Sequence, residues 1–486
     1  MKKVLLSMLV LCSVNVFAQA KKPTPVFYEI FIRSFADGNG DGIGDLKGIT
    51  QKLDYLQQLG IGGLWLTPFH LSPTYHKYDV MDYYSIDPEY GTMDDFKELL
   101  AQAHIRNIKV VMDLVVNHTS SRHPWFLSAC EGKAPFVDYY VWSDTAKTKG
   151  WYNNLKNPQQ KYYGFFWEQM PDLNFDNPEV EQEVLKIASF WLAAGVDGFR
   201  LDAAQHIYEP HEPEKNMRWW TTFHKHVKKI NPEAYIIGEV WNKDSLVAAY
   251  LKDGMDACFN FDLSSAILRA VSTSKADDFI DKLIAMHALY SSYNSSYTDA
   301  IFITNHDQDR YVSILNQDMV RVKQAVAILF TLPGIPFLYY GEEIGMLGKF
   351  PDELRREPFL WSRQSSYTTT WEKPQYTTTT TVVPLDLQMS NEQSLYTYYK
   401  KWIKLRNEMP FLSLGKLAKT DKTYEGCYAY ELHHLQNKYL IIHRLDGGEA
   451  QLYLPLKHSV VYQQNAKTSG RGVTLSTGGV LILKLN

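Results

Sequence analysis

The sequence predicts an α/β protein built on a (β/α)8 TIM barrel, with a domain inserted after the third strand and a C-terminal antiparallel β domain. Three observations predict it. From Pro25 to Pro351, eight short apolar or β-branched runs alternate with amphipathic helical stretches, and one closed ring uses all of them. The interval from Asn117 to Asn177 breaks that rhythm. Beyond Ser413 the helical pattern gives way to alternating strands.

The strand candidates, in order, are Val26–Ile32, Ile61–Leu66, Ile108–Leu114, Val196–Leu201, Tyr235–Glu239, Ala257–Phe261, Ile301–Thr304 and Ile335–Tyr339. Between them lie helical stretches such as Met93–Arg106, Glu179–Ala194 and Asp318–Thr331. The inserted stretch is rich in Tyr, Trp, Pro and Asn and lacks a clear helical period. An excursion of that length after one strand is usually functional. A second irregular stretch, Trp361 to Pro384 with the threonine run Thr377–Thr381, reads as a solvated loop. The closing strands are Cys427–His433, Tyr439–Arg444, Ala450–Leu454 and Val480–Leu485. The expected divisions are a leader at 1–20, barrel at 21–116, insertion at 117–177, barrel at 178–412 and β domain at 413–486, without internal repeats.

The leader is set apart by its layout. Met1-Lys2-Lys3 is a basic start, Val4 to Phe17 is mostly apolar, and Ala18-Gln19-Ala20 offers small residues for cleavage. That is the pattern of a secretory signal peptide, with an apolar run too short for a membrane span. Bulky Leu11 before Cys12, and the apolar run continuing past it, favour plain release after Ala18 or Ala20 over a lipid anchor. The mature chain is expected to be secreted or periplasmic in a bacterial cell, with no membrane span. Fifty Lys and Arg against 54 Asp and Glu give a net charge of −4 with both signs mixed, no electrostatic case for nucleic acid. Outside the leader, Cys130, Cys258 and Cys427 are widely spaced. They form neither a disulfide framework nor a zinc site, and at least one stays unpaired. Thirty-two Tyr, 12 Trp and 23 Phe offer flat faces with polar edges, which suit sugar rings, although most aromatics are simply core.

Polar residues gather at the carboxyl ends of the proposed strands, where barrel enzymes build their sites. Strand three ends in Asp113, Asn117 and His118; strand four gives Arg200 and Asp202, followed by Ala203, Gln205 and His206. Strand five gives Glu239-Val240-Trp241, and strand seven Thr304-Asn305-His306-Asp307. Asp202, Glu239 and Asp307 therefore come from three strands and can face one bowl. Retaining glycoside hydrolysis needs such a set: one carboxylate attacks the anomeric carbon and one carboxylic acid protonates the leaving oxygen, about 5–5.5 Å away. Arg200 shares a side of its strand with Asp202 and can keep that carboxylate ionised. A single acid of this kind more often caps a helix or pairs with Arg; four clusters in order on barrel strands reverse that weighting.

A separate signal follows strand one: Asp37, Asn39, Asp41, Ile43 and Asp45, interleaved with glycines. Oxygen side chains at positions 1, 3, 5 and 9, Gly at 6 and a backbone carbonyl at 7 follow a calcium loop. Gly48 stands where a full EF-hand has its bidentate Glu, and a metal-free Asn/Asp/Gly turn is the alternative. The glycines do not form a phosphate cradle.

These segments resemble the four ordered motifs of the α-amylase family of glycoside hydrolases. The resemblance runs from Tyr28-Glu29-Ile30-Phe31, through Gly91-Thr92-Met93-Asp94-Asp95-Phe96, to Gly341-Glu342-Glu343. It implies that Asp202 is the nucleophile and Glu239 the general acid/base, and that Asp307 binds the 2- and 3-hydroxyls of the distorted sugar. It places Arg200, His118 and His306 at substrate-contacting or nucleophile-orienting positions and Tyr78 under the sugar being cleaved. His206 joins the candidate substrate-binding residues, and with Asn117 it matches positions that hold a second calcium in many relatives. The insertion matches the family's domain B and the closing strands its domain C; a similar Asp/Asn/Gly loop in relatives favours calcium at Asp37–Asp45.

Ala203 directly after the nucleophile, where α-1,6-cleaving relatives usually carry Val, favours α-1,4 cleavage, and His76 looks amylase-like. Met170-Pro171-Asp172-Leu173-Asn174 lies between the oligo-1,6-glucosidase and neopullulanase patterns. Gln205 departs from the Lys common in α-amylases, and Asn305 to Arg310 is shared with oligosaccharide-active members. The expectation is a monomeric endo-hydrolase of starch, glycogen or maltooligosaccharides. The alternatives are an oligosaccharide-active α-glucosidase, a neopullulanase or cyclomaltodextrinase, a transglycosylase, and a non-catalytic glucan-binding protein.

Overall fold

The computed structural model describes residues 25–145, 149–154, 156–208, 212–275 and 278–485; the expected leader at 1–20 lies outside them. Eight parallel strands form one sheet: Phe27–Ile30, Gly63–Leu66, Lys109–Leu114, Gly198–Leu201, Tyr235–Gly238, Ala257–Cys258, Ala300–Phe302 and Ile335–Tyr339, here strands one to eight. Hydrogen bonding runs from strand seven through eight, one, two, three, four and five to six. A parallel bridge between Phe259 and Ala300 closes the ring. This is the expected TIM barrel, and the strands fall within or one residue beside the eight predicted runs.

Local chemistry sets the helices between strands. Met93–Ile105 begins in a reciprocal capping box of Thr92 and Asp95, which satisfies two orphan donors. Pro178–Ala194 starts from an Asn177 cap with proline in its first turn and stops at Gly195, whose φ of 110° needs a residue without Cβ. Their apolar faces close over the outside of the ring.

The ring's interior decides where the site sits. Side chains alternate along a strand, and the lower inward layer is apolar, with Phe27, Val111, Ile237, Phe302 and Phe337 in one cluster. Two residues further along the same faces come Glu29, Asp113 and Glu239, while Arg200 pairs in register with Asp113 and Ile237. A greasy plug therefore supports a polar floor at the carboxyl end.

Three stretches differ from expectation. The inserted segment has regular structure of its own: helix Pro124–Cys130 and a small antiparallel sheet of Trp142–Ser143, Lys161–Tyr163 and Trp151–Asn153. Its strands are two or three residues long, too short for a periodic signal. The stretch from Trp361 to Pro384 is pinned rather than merely solvated. Buried Glu357 accepts the backbone N–H groups of Gln375, Tyr376 and Thr377 at 2.6, 2.9 and 2.6 Å, and Trp361, Thr369 and Thr377 are buried. In the C-terminal sheet the hairpin is longer than the one strand predicted, pairing His458–Ser469 with Gly472–Leu485. Gln324 ties that sheet to the barrel by donating to the carbonyls of Arg444 and Leu445, both at 3.0 Å. Cys130, Cys258 and Cys427 are all free thiols.

Candidate active site

Arg200 is the centre of the polar floor. Its Nη1 donates to Asp113 Oδ1 at 2.9 Å and to Asp202 Oδ1 at 2.6 Å, and its Nη2 donates to Glu239 Oε2 at 2.6 Å. One guanidinium thus spans the acids from strands four and five. Directly after Asp202 the chain turns through Ala203 in a left-handed conformation, φ 45°, uncommon for a residue with a Cβ. That turn aims the Ala203 N–H at Glu239 Oε2, 3.0 Å away.

Asp307 follows strand seven, and two cations hold it. His306 Nε2 lies 3.1 Å from Oδ2, and Arg356 Nη2 donates to Oδ1 at 3.0 Å. His306 Nδ1 in turn donates to Glu29 Oε1 at 2.5 Å.

Five carboxylates (Glu29, Asp113, Asp202, Glu239, Asp307) therefore share three cations (Arg200, His306, Arg356). The surplus of negative charge in a buried setting favours keeping protons on the set. Burial, then Asp202 and Asp307, push the Glu239 carboxyl up against the pull of Arg200. Burial, with Asp113 and Asp307, pushes Asp202 up to about 7, again against Arg200. Asp307 goes the other way: burial raises it, but His306, Arg356 and Arg200 outweigh that and hold it well below the usual carboxylate range.

Asp202, Glu239 and Asp307 face one cavity of about 400 Å³, lined also by Tyr78, His118 and His206. Six sequence candidates thus converge. Arg200 and His306 do not line it; they are buried behind the carboxylates. Tyr78 stacks on the His306 ring, centroids 5.6 Å apart and planes 10° from parallel, and its hydroxyl donates to Asp113 Oδ2 at 3.1 Å. Burial pushes His118 down to about 4, so it is neutral. His206 stacks on Phe165 at 4.0 Å.

The structure adds residues that the sequence reading left unassigned. Arg356 and Asp352 complete one wall, and Phe166 and the half-exposed Trp241 another. Arg356 is braced from behind: its Nη1 donates to the Tyr75 hydroxyl at 3.2 Å, and Tyr75 stacks on Trp371 at 5.2 Å. Trp371 belongs to the pinned 361–384 stretch, which explains that stretch's position. Apart from the adjacent pair Arg355-Arg356, nothing local in the sequence marks this wall.

Residues 29–415 match the family described as Alpha amylase, catalytic domain. The chain belongs to this family. It is 44% identical to Alpha-amylase 3 of Dictyoglomus thermophilum over 469 residues, 95% of this chain and 93% of that protein. It is 35% identical to a 4-alpha-glucanotransferase of Thermotoga neapolitana, covering 87% of this chain and 96% of the relative. The crystal structure of an alpha-amylase from H. orenii superposes with a TM-score of 0.89 at 38% identity, over 96% of this chain and all of the other. The barrel with its antiparallel C-terminal sheet is accordingly the alpha-amylase fold, and the chain is an enzyme of the glycosidase class.

Alpha-amylases often bind calcium, which makes the Asp37–Asp45 loop a test. Its side chains form a ladder of turns: Asp37 accepts the N–H groups of Gly40 and Gly42 at 2.6 and 2.8 Å, Asn39 that of Asp41 at 2.9 Å, and Asp41 that of Ile43 at 2.8 Å. Asp45 caps the next helix through Gly48 N at 2.6 Å. Among the described residues none of the three acids has a cationic partner, although Asp37 and Asp45 are buried. Burial, together with Asp37 and Asp41, raises the Asp45 carboxyl. Uncompensated hard oxygens on a glycine-permitted turn fit a hard divalent cation. The carboxylates are turned to backbone donors, and among the described residues no group of three or more His, Cys, Asp or Glu stands in metal-holding geometry. The other pair of calcium candidates is joined directly, Asn117 Nδ2 donating to the His206 carbonyl at 2.5 Å.

Proposed function

We propose that this chain hydrolyses α-1,4-glucosidic bonds of starch, glycogen or maltooligosaccharides internally, with retention of configuration. The observation that carries the reading is the Arg200 guanidinium bound at 2.6 Å to both Asp202 and Glu239. Acids held on one guanidinium sit within reach of one glycosidic bond, as a paired nucleophile and acid require. Identity of 44% with an alpha-amylase over nearly the whole chain supports the bond type.

In the reaction, Asp202 attacks the anomeric carbon while Glu239 gives its proton to the departing glycosidic oxygen, leaving a glycosyl ester on Asp202. Glu239, now a carboxylate, takes a proton from water as that water displaces Asp202, and the acid is restored. Arg200 offsets charge on Asp202. Asp307 contributes in two ways: it accepts hydrogen bonds from ring hydroxyls, and its negative charge favours the proton on Glu239. Tyr78 offers a ring face to the sugar, and neutral His118 and His206 offer hydrogen bonds.

Calcium at Asp37, Asn39, Asp41, the Ile43 carbonyl and Asp45 would neutralise the loop's acids and supply stability rather than chemistry. The basic-apolar-small layout of residues 1–20 supports export of the mature enzyme. A second reading is glucan transfer, favoured by the 35% identity with a 4-alpha-glucanotransferase and by Trp241. That ring, stacked on Phe261 at 4.3 Å, leaves a flat face at the cavity mouth for an acceptor sugar.

The deciding experiment follows products from soluble starch, sized and with anomeric configuration recorded over the first minutes. Mixed maltooligosaccharides released as α-anomers are expected. Longer chains formed from maltooligosaccharides, with little release of reducing ends, replace hydrolysis by transfer. Product released as β-anomers overturns retention.

A further inference from the structure

Glu29 is not needed by the reaction as written, yet it is one of the most buried acids in the molecule, 1% exposed at an inward position of strand one. Its side-chain oxygen Oε1 accepts from His306 twice, Nδ1 at 2.5 Å and N at 3.4 Å. The His306 ring is fully buried, packed edge-on against Trp65 at 5.6 Å and parallel to Tyr78. Its other nitrogen, Nε2, lies 2.7 Å from the Tyr78 hydroxyl and 3.1 Å from Asp307 Oδ2. Tyr78 has a second acceptor in Asp113 Oδ2 at 3.1 Å, so its oxygen is free to accept from His306 when the ring carries a proton on Nε2. Both ring nitrogens therefore face acceptors, and a neutral imidazole has only one N–H to give. With Glu29 and Asp307 ionised, this geometry fits an imidazolium, although burial raises the Glu29 carboxyl.

Burial alone opposes that charge. The groups around the ring are Glu29 on strand one, Tyr78, Asp113 on strand three, Arg200 on strand four, Asp307, and Arg356, whose Nε donates to the His306 carbonyl at 3.1 Å. The two arginines disfavour a further cation; the carboxylates favour it. Against desolvation, Asp307 and Glu29 push His306 up to about 10.

We propose that Glu29 is a positioning residue that holds His306 as a permanent cation, and that this cation keeps Asp307 ionised and in place. The charges then alternate along one line: Glu29 negative, His306 positive, Asp307 negative, and a proton retained on Glu239. The inference rests on the reading of Asp202, Glu239 and Asp307 as the reacting set, but its first test does not need turnover.

In protein labelled with ¹⁵N-histidine, the His306 ring, assigned by its absence in His306→Gln, is expected to stay doubly protonated through pH 8. In Glu29→Gln, which keeps the length and the acceptor oxygen, the ring is expected to titrate at lower pH, at little cost in Tm. A ring already neutral at pH 8 in the unsubstituted protein overturns the proposal, and that measurement stands even if the variant does not fold. The kinetic test uses an aryl maltooligoside. E29Q is expected to lower kcat by about tenfold or more with KM little changed, and to lose activity as pH rises through the new His306 ionisation. Placed in the H306Q background, E29Q is expected to add little further loss. Unchanged kcat and pH profile in E29Q, or an equal loss in both backgrounds, overturns the relay through His306. Failure of the unsubstituted enzyme to cleave any glucan overturns the proposed reaction and leaves the titration to judge Glu29.

Discussion

Asp202 and Glu239 share one arginine and differ in what surrounds them, so single-residue changes separate their roles. Asp202→Asn keeps the shape of the proposed nucleophile while removing its charge. It is expected to lower kcat on starch by about 10⁴-fold or more with an unchanged circular dichroism spectrum, and ordinary turnover by that variant removes the assignment. The pH dependence of kcat/KM follows from the same pair. In the proposed mechanism the nucleophile must be ionised, and Asp202 is pushed up to about 7, so activity is expected to fall as pH drops through that region. The acid must be protonated, and Glu239 is also raised, so activity falls again as pH rises and its proton is lost. A bell-shaped profile with its acid limb well above pH 4 is the expected result; an acid limb in the ordinary carboxylate range contradicts the buried pair. Arg356→Lys keeps a positive charge but cannot hold Tyr75 and Asp307 together through a planar fork. A fall of about tenfold in kcat, with the substrate's KM less affected, is expected in initial-rate measurements.

At the scale of elements, period-two alternation places the site, because Glu29, Asp113 and Glu239 each lie two positions beyond an apolar residue of the plug. The strands were legible for that reason, and so were Asp202, Glu239 and Asp307 at their carboxyl ends. The inserted segment was not, since strands of two or three residues carry no period. The turn after strand eight illustrates an acid with another purpose. Glu342 is buried with Thr304 donating to its Oε1 at 3.1 Å, and burial raises its carboxyl well above the ordinary value. A carboxyl whose folded value is raised contributes stability at pH below its unfolded value, and that contribution is lost as pH rises through the folded value. Tm of the unsubstituted protein is therefore expected to decline toward alkaline pH more steeply than that of Glu342→Gln, which cannot ionise. Parallel Tm–pH curves in scanning calorimetry refute this.

Across the whole molecule, the acidic loop, the 361–384 stretch and the catalytic wall are mechanically joined. Thr370 N donates to the Gly42 carbonyl at 2.7 Å and Asp37 N to the Tyr367 carbonyl at 3.0 Å, while Trp371 in the same stretch backs Tyr75 and, through it, Arg356. A cation in the loop adds stability by mass action, about 2.7 kcal/mol when present at a hundred times its Kd. Removal of metal by chelation is expected to lower Tm, with recovery on adding calcium; no change after metal removal verified by elemental analysis leaves the loop as a plain turn. The sequence by itself determined the barrel and the order of the acids on its strands, because strand alternation and turn chemistry are local and repeat along the chain. Only the tertiary structure decided the charge state of the site. Glu29 meets His306 across 277 residues and Arg356 meets Asp307 across 49. The protonation of a buried acid depends on the sum of charges brought together by closing the ring, which no single segment carries.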